Sequence, residues 1–159
     1  MNTKAVKIFL VEDDLSFGSV LKSYLEINEF EVDWVDDGKY AVEHFRKGIF
    51  DICILDIMLP HVDGFTIASE IRKINTVVPI IFLTAKKLKD DVLKGYGAGG
   101  DDYITKPFDP EVLILRINNI LKRAYSSSND EYKISETVLN FNSLELIRGN
   151  SREKLTLKE

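Results

Sequence analysis

The sequence has very little cysteine, no long apolar run and no excess of positive charge. Its 159 residues include one cysteine, Cys53, which cannot form an internal disulfide and is typical of a protein in a reducing cytosol. No stretch approaches the ~18 consecutive apolar residues of a membrane-spanning helix, and the N-terminal residues do not predict a secretory signal. The net charge is −5, so bulk positive charge for gripping nucleic acid is missing. We therefore expect a cytoplasmic protein that does not bind membranes.

The composition that is present is that of an ordinary globular protein, with 45% apolar and 30% charged residues. Short apolar runs alternate with helical patterns over the first 124 residues. Strands are predicted at residues 6–11, 30–35, 52–55, 79–83 and 102–105, and helices at 17–25, 37–47, 64–73, 89–96 and 109–125. Nearly continuous apolar strands between helices indicate a parallel sheet covered on both faces. A doubly wound sheet is favoured because a barrel would need about 250 residues.

The last part of the chain has a different character. We predict a first domain over residues 1–124, a polar linker over 125–131 and a short β-rich fragment over 132–159. The fragment reads as antiparallel strands, with Gly149 and Asn150 predicted to form one of the turns. Roughly 28 residues cannot bury a sheet of their own, so this fragment is interpreted as the beginning of a second domain.

Polar residues follow four of the five predicted strands. Glu12 and Asp13 follow the first strand, Asp56 the third, Thr84 the fourth and Lys106 the fifth. Carboxyl ends of parallel strands share one edge of a sheet, so these side chains converge. Taken singly, each would be an ordinary strand-end or surface residue. Together, three crowded carboxylates repel unless they share a hard divalent cation, which predicts a site for Mg²⁺ and a phosphoryl group with one carboxylate as nucleophile.

Four motifs at these strand ends resemble the receiver domain of bacterial response regulators. They are residues 11–14 (VEDD), 55–60 (LDIMLP), 82–85 (FLTA) and 101–108 (DDYITKPF). The resemblance covers about residues 5–124 and implies a flavodoxin-like α/β fold, with a five-stranded parallel sheet in the order 2-1-3-4-5 and five helices. The C-terminal fragment is similar to the opening strands of OmpR-type winged-helix effector domains, whose DNA-reading helix would lie beyond Glu159.

The resemblance implies a phosphoacceptor and a metal site. Asp56 would accept a phosphoryl group from a phosphohistidine of a sensor histidine kinase. Asp13 and Asp56 would ligate Mg²⁺, with Glu12 assisting through water and Met58 offering its backbone carbonyl. Electrostatics supports a metal at this site, because an aspartate and an incoming phosphoryl dianion repel at close range unless the charge of a metal offsets this repulsion.

The resemblance also implies how the phosphoryl group is held and sensed. Lys106 would supply a second positive charge to the phosphoryl oxygens, next to a cis bond to Pro107. Thr84 would donate its hydroxyl, and Tyr103 would be the aromatic residue that turns inward when Thr84 moves. The protein would then be a switch that catalyses its own phosphorylation and slow dephosphorylation, rather than a metabolic enzyme.

A dimer and a DNA target are further implications of the resemblance. Receivers of the OmpR type pair through helix 4, strand 5 and helix 5, and here Asp102 and Arg116 fit one ionic contact between copies. Val92 and Val112 replace a second charged pair with an apolar one. Promoter DNA would be reached only through the effector domain, most of which would lie beyond Glu159.

Three alternatives stand beside this interpretation. Phosphatases of the haloacid dehalogenase type carry a second aspartate two residues after the nucleophile, where this chain has Met58. A flavin-binding module would need a Ser/Thr/Gly-rich loop after the first strand, and Glu12, Asp13 and Asp14 would repel the flavin phosphate. A receiver that works only as a phosphate-independent dimerisation module is disfavoured by the complete set of site residues.

Overall fold

The computed structural model describes residues 5–85 and 99–125, together with the backbone of four strands between residues 132 and 154. The chain divides into two compact units, residues 1–115 and residues 116–159. The division predicted from the sequence, with a linker at 125–131, stays a prediction.

Five strands form one parallel sheet in the order β2-β1-β3-β4-β5, which confirms the predicted flavodoxin-like order. The strands are β1 Lys7–Val11, β2 Glu31–Val35, β3 Ile52–Asp56, β4 Ile80–Thr84 and β5 Asp102–Thr105. Every residue of β3 and β4 is buried. These two central strands are nearly continuous apolar runs because helices cover both faces of the sheet. Their carboxyl ends define the edge at which ligands bind in such folds.

Four α-helices lie in the described residues, rather than the five that the sequence predicts. They are α1 Leu15–Ile27, α2 Ala41–Arg46, α3 Gly64–Ile74 and α4 Pro110–Tyr125, the last being the fifth predicted helix. The fourth predicted helix, at 89–96, lies outside the described residues. The helix predicted over 37–47 is a 3₁₀ turn, Gly38–Tyr40, followed by α2.

Helix α1 begins at the functional edge of the sheet. Asp14 caps it, since its carboxylate accepts a hydrogen bond from the backbone N–H of Phe17 at 3.0 Å. The buried line of α1 runs through Gly18, Leu21 and Leu25. The apolar residues of this helix recur at helical spacing, which predicts a buried stripe of Phe17, Val20, Leu21, Tyr24 and Leu25. Val20 is instead 69% exposed.

The second unit contains a four-stranded antiparallel sheet, in the order β6-β7-β8-β9. Its strands are β6 Tyr132–Ile134, β7 Thr137–Asn140, β8 Glu145–Arg148 and β9 Ser151–Lys154. Short antiparallel strands were predicted in this fragment. Within the described part of the chain, no helix has the length and apolar character needed to span a membrane.

Candidate functional site

Parallel pairing brings the polar strand ends together. Val11, the last residue of β1, pairs with Leu55, and Asp56 pairs with Leu83. On the other side of β4, Thr84 pairs with Thr105, the residue before Lys106. The residues that follow each apolar run therefore meet at one edge, which is the arrangement that the doubly wound topology predicts.

Three carboxylates lie at this edge. Glu12, Asp13 and Asp56 each offer an oxygen, and these oxygens all lie within 4.8 Å of one another. Glu12 and Asp56 are buried, and Asp13 is the most exposed of the three. Asp14 is not in this cluster, because its carboxylate caps α1. Hard oxygen donors at this spacing fit the ligand chemistry of Mg²⁺.

Lys106 places a positive charge among the carboxylates. Its ammonium donates to Oε1 of Glu12 at 2.8 Å and to Oδ2 of Asp56 at 3.0 Å. Burial lowers the pKa of Lys106, but these two carboxylates outweigh that effect and the net pKa is raised. The side chain therefore stays protonated at neutral pH. The peptide bond between Lys106 and Pro107 is cis, as the resemblance implied.

The carboxyl group of Glu12 has a raised pKa. Burial raises the pKa of its carboxyl group to about 7. The hydrogen bond from Lys106 lowers this pKa and the neighbouring Asp56 raises it again. A carboxyl group that is half protonated near neutrality relieves part of the repulsion among the three acids. A divalent cation would relieve it more completely, because its charge favours all three ionised forms.

Two backbone contacts position Asp56. The backbone N–H of Met58 donates to Oδ1 of Asp56 at 3.1 Å, while the Met58 side chain is 66% exposed. Gly64 lies against the other side of the strand end, where a Cβ would lie 2.4 Å from the carbonyl oxygen of Asp56. A glycine is needed there because any side chain would displace the backbone of Asp56.

Thr84 and Tyr103 lie on neighbouring strands of the same sheet. Thr84 ends β4 and is buried, with 2% of its surface exposed. Tyr103 in β5 is half-buried, and its ring centroid lies 5.8 Å from that of Phe82. The tyrosine ring packs at the margin of the hydrophobic core. The switching roles of these two residues stay predictions.

The structure describes three of the four predicted dimer residues. Val112 in α4 is 38% exposed, and Arg116 is also exposed. Asp102 is half-buried and its Oδ1 accepts a hydrogen bond from the backbone N–H of Tyr103. Val92 lies outside the described residues.

Phe17 is a site residue that the sequence analysis missed. The Lys106 ammonium lies 4.4 Å from the centroid of the Phe17 ring, a cation–π distance. Phe108 packs edge-to-face against the same ring, with centroids 6.0 Å apart. The apolar spacing of α1 assigned Phe17 to the core stripe. The position of Phe17 in the first turn of a helix that starts beside the acidic cluster is the sequence feature that could have indicated its place near the site.

Comparisons with known proteins agree with the family resemblance seen in the sequence. A family model of the response regulator receiver domain matches residues 8–118. Transcriptional regulatory protein RprY of Bacteroides fragilis is 43% identical over 157 residues, which cover 97% of this chain and 66% of RprY. This chain thus spans about two thirds of the length of that relative.

Solved structures with the same fold cover about three quarters of the chain. A two-component response regulator from Clostridium difficile gives a TM-score of 0.72 at 30% identity, covering 76% of this chain and 99% of that one. The BeF3-activated DrrB receiver domain gives a TM-score of 0.69 at 32% identity, covering 75% of this chain and 99% of DrrB.

Proposed function

The chain belongs to the response regulator receiver family, and on this premise we propose that Asp56 is its phosphoacceptor. The observation that carries the proposal is the Lys106 ammonium, which contacts both Asp56 and Glu12. Asp56 combines this contact with a buried strand-end position and a backbone donor, Met58. Asp13 is more exposed. Glu12 makes contacts of the same kind as Asp56, so the choice between these two rests on the place of Asp56 in the motif at residues 55–60 that resembles the receiver family.

We propose that Asp13 and Asp56 hold Mg²⁺, with the backbone carbonyl of Met58 as a further ligand and Glu12 acting through water. The oxygen donor set of the cluster fits this cation. When bound, Mg²⁺ would supply positive charge that offsets repulsion between Asp56 and an incoming phosphoryl group.

The proposed transfer starts from a phosphohistidine of a sensor histidine kinase. A carboxylate oxygen of Asp56 forms a bond to phosphorus while the bond between phosphorus and the imidazole nitrogen breaks. The leaving imidazole keeps the electron pair of that bond, and Asp56 becomes an acyl phosphate. Lys106 exchanges its contact with the Asp56 carboxylate for one with a phosphoryl oxygen, so its charge remains paired throughout.

The proposed response to phosphorylation runs through Thr84 and Tyr103. The Thr84 hydroxyl, at the buried end of β4, would donate to a phosphoryl oxygen. Movement of Thr84 would leave space beside Phe82, against which Tyr103 packs, and the tyrosine ring would turn inward. The acyl phosphate would be lost slowly by hydrolysis in the same site, so the protein acts as a switch.

The proposed output is dimerisation and control of transcription. Val112 and Leu115 of α4 are exposed at 38% and 62%, which leaves apolar surface on the predicted dimer face. Copies of the chain would pair through this face, with Asp102 and Arg116 in an ionic contact between copies. RprY is a transcriptional regulator. In the whole protein, phosphorylation would accordingly control promoter binding through a winged-helix domain to which residues 132–159 belong.

Intact-mass spectrometry after treatment with acetyl phosphate and Mg²⁺ tests this function. We expect a gain of one phosphoryl group in the wild-type protein and none in Asp56→Asn. Asp33→Asn is the matched control, since Asp33 is an aspartate on β2 that contacts His44 instead of the cluster. An unmodified wild-type protein that still dimerises would support a phosphate-independent dimerisation module instead.

A further inference from the structure

The single tryptophan, Trp34, contacts the backbone of the acidic cluster. Its indole Nε1–H donates to the carbonyl oxygen of Glu12 at 2.8 Å. The backbone N–H of Glu12 in turn donates to the carbonyl oxygen of Val35 at 3.1 Å. Strand β2 therefore forms hydrogen bonds with both the N–H and the carbonyl group of Glu12, although no residue of β2 belongs to the carboxylate cluster.

The Glu12 carbonyl that accepts this hydrogen bond lies between two of the three carboxylate residues. It is part of the peptide group that joins Glu12 to Asp13, and a peptide group is planar. The indole therefore fixes the orientation of the chain from which both carboxylates project. Partners outside the ligand set commonly fix the ligands of a metal site in this way, and their loss weakens the metal.

Gly18 allows the indole to reach this position. A Cβ at Gly18 would lie 2.2 Å from Cζ2 and 2.6 Å from Cε2 of Trp34. Glycine inside a helix is unfavourable relative to alanine, so α1 carries a weak helix former at the point where the indole packs. Gly18 and Trp34 are thus complementary in shape, and an alanine at this point of α1 would displace the indole.

We propose that Trp34 and Gly18 are positioning residues for the divalent cation site. The indole, seated against Gly18, holds the Glu12–Asp13 peptide group so that the two carboxylates are preorganised for the metal. This inference rests on the proposed function. It gives β2 and the Gly18 side of α1 a role in metal binding, although neither contributes a carboxylate to the site.

Direct binding of Mg²⁺, measured by titration calorimetry on the full chain, tests the inference. Trp34→Phe keeps an aromatic ring and removes the N–H donor. We expect it to weaken Mg²⁺ binding by about tenfold, the lower end of the range for loss of a supporting partner. Gly18→Ala should weaken binding in the same direction, and the double variant should be no weaker than the weaker single one, since both remove the same contact.

A matched control separates positioning from stability. Val32 is a buried residue on the same strand, paired with Ile8 and remote from Glu12. Val32→Ala should lower the urea midpoint of unfolding while leaving the Mg²⁺ dissociation constant unchanged. In phosphorylation assays with acetyl phosphate, Trp34→Phe should require more Mg²⁺ for half-maximal rate but reach the wild-type rate at saturating Mg²⁺.

Two results would overturn the inference while leaving the proposed function intact. One is wild-type Mg²⁺ affinity in Trp34→Phe, and the other is an equal loss of affinity in Val32→Ala. If Gly18→Ala does not fold, the comparison of Trp34→Phe with Val32→Ala still decides the question. Failure of the wild-type protein itself to bind Mg²⁺ would overturn both the inference and the proposed metal site.

Discussion

The Lys106 ammonium lies 3.0 Å from Oδ2 of Asp56, although fifty residues separate the two in the chain. Removing this ammonium leaves the Asp56 and Glu12 carboxylates without their positive partner. We expect Lys106→Met to lower the free energy of unfolding of the metal-free protein by about 1–3 kcal/mol, because buried charges lose their compensation. Added Mg²⁺ should restore more stability in this variant than in the wild type. Urea unfolding in EDTA and in Mg²⁺ measures both values, and an equal effect of Mg²⁺ on the two proteins would contradict the shared site.

Asp13→Ala should separate metal binding from folding. The substitution removes a proposed Mg²⁺ ligand and also one of three mutually repelling carboxylates. We expect Mg²⁺ affinity and the phosphorylation rate to fall by about tenfold or more, while the metal-free protein folds with unchanged or higher stability. Calorimetry and thermal unfolding check the two effects. Wild-type Mg²⁺ dependence of phosphorylation in this variant would show that Asp13 is not a ligand.

The raised pKa of Glu12 predicts a pH dependence of stability in the metal-free protein. Its pKa is about 7 in the folded protein against an ordinary value of 4.5, so the folded state holds a proton that the unfolded state releases. The contribution of Glu12 to the free energy of unfolding therefore falls as pH rises from about 4.5 to 7. We expect the decrease in unfolding free energy over this pH range to be smaller by roughly 1–3 kcal/mol in Glu12→Gln than in the wild type. Urea unfolding at pH 5, 6 and 7 in EDTA provides the measurement, and a slope that Glu12→Gln leaves unchanged would contradict the assignment.

Gly64→Ala should disturb the phosphoacceptor through the backbone. The new Cβ would lie 2.4 Å from the Asp56 carbonyl oxygen, so the strand end must shift. We expect a loss of about 1–3 kcal/mol in unfolding free energy together with slower phosphorylation by acetyl phosphate. Gly48→Ala is the control, because the three atoms nearest to its Cβ would all belong to the Phe50 ring. That variant should lose stability without a change in phosphorylation rate.

The exposed face of α4 predicts a dimer that is less sensitive to salt than a fully ionic interface would be. An apolar contact through Val112 avoids the desolvation cost of a buried charged pair and is not screened by salt. Val112→Glu and Arg116→Glu should each weaken the dimer in sedimentation experiments while sparing phosphorylation of Asp56. Ile49→Glu is the control, since Ile49 is 84% exposed and lies between α2 and β3. A monomer under every condition, or a dimer indifferent to both substitutions, would place the interface elsewhere.

Local patterns were sufficient to predict the sheet and the convergence of its polar ends. Each apolar run that ends in an acid or a hydroxyl is a feature of neighbouring residues, and the parallel topology then brings Glu12, Asp56 and Thr84 to one edge. Contacts between distant side chains were not predictable from such patterns. The place of Phe17 beside Lys106 depends on how α1 packs on the sheet.

The same limit explains the errors in helix α1. Spacing alone put Val20 in the buried stripe, but the helix turns its Gly18 side inward, and Val20 is exposed. The buried side of α1 depends on helix orientation, which the amino-acid pattern does not determine by itself.

The location of the phosphoryl group tests the central claim most directly. An acyl phosphate on aspartate is reduced by borohydride to homoserine, which peptide mass spectrometry identifies by position. After treatment with acetyl phosphate and Mg²⁺, the account predicts homoserine at residue 56, with Asp13 and Asp14 unmodified. Homoserine at another aspartate, or its absence from a protein that has gained a phosphoryl group, would contradict the assignment of Asp56.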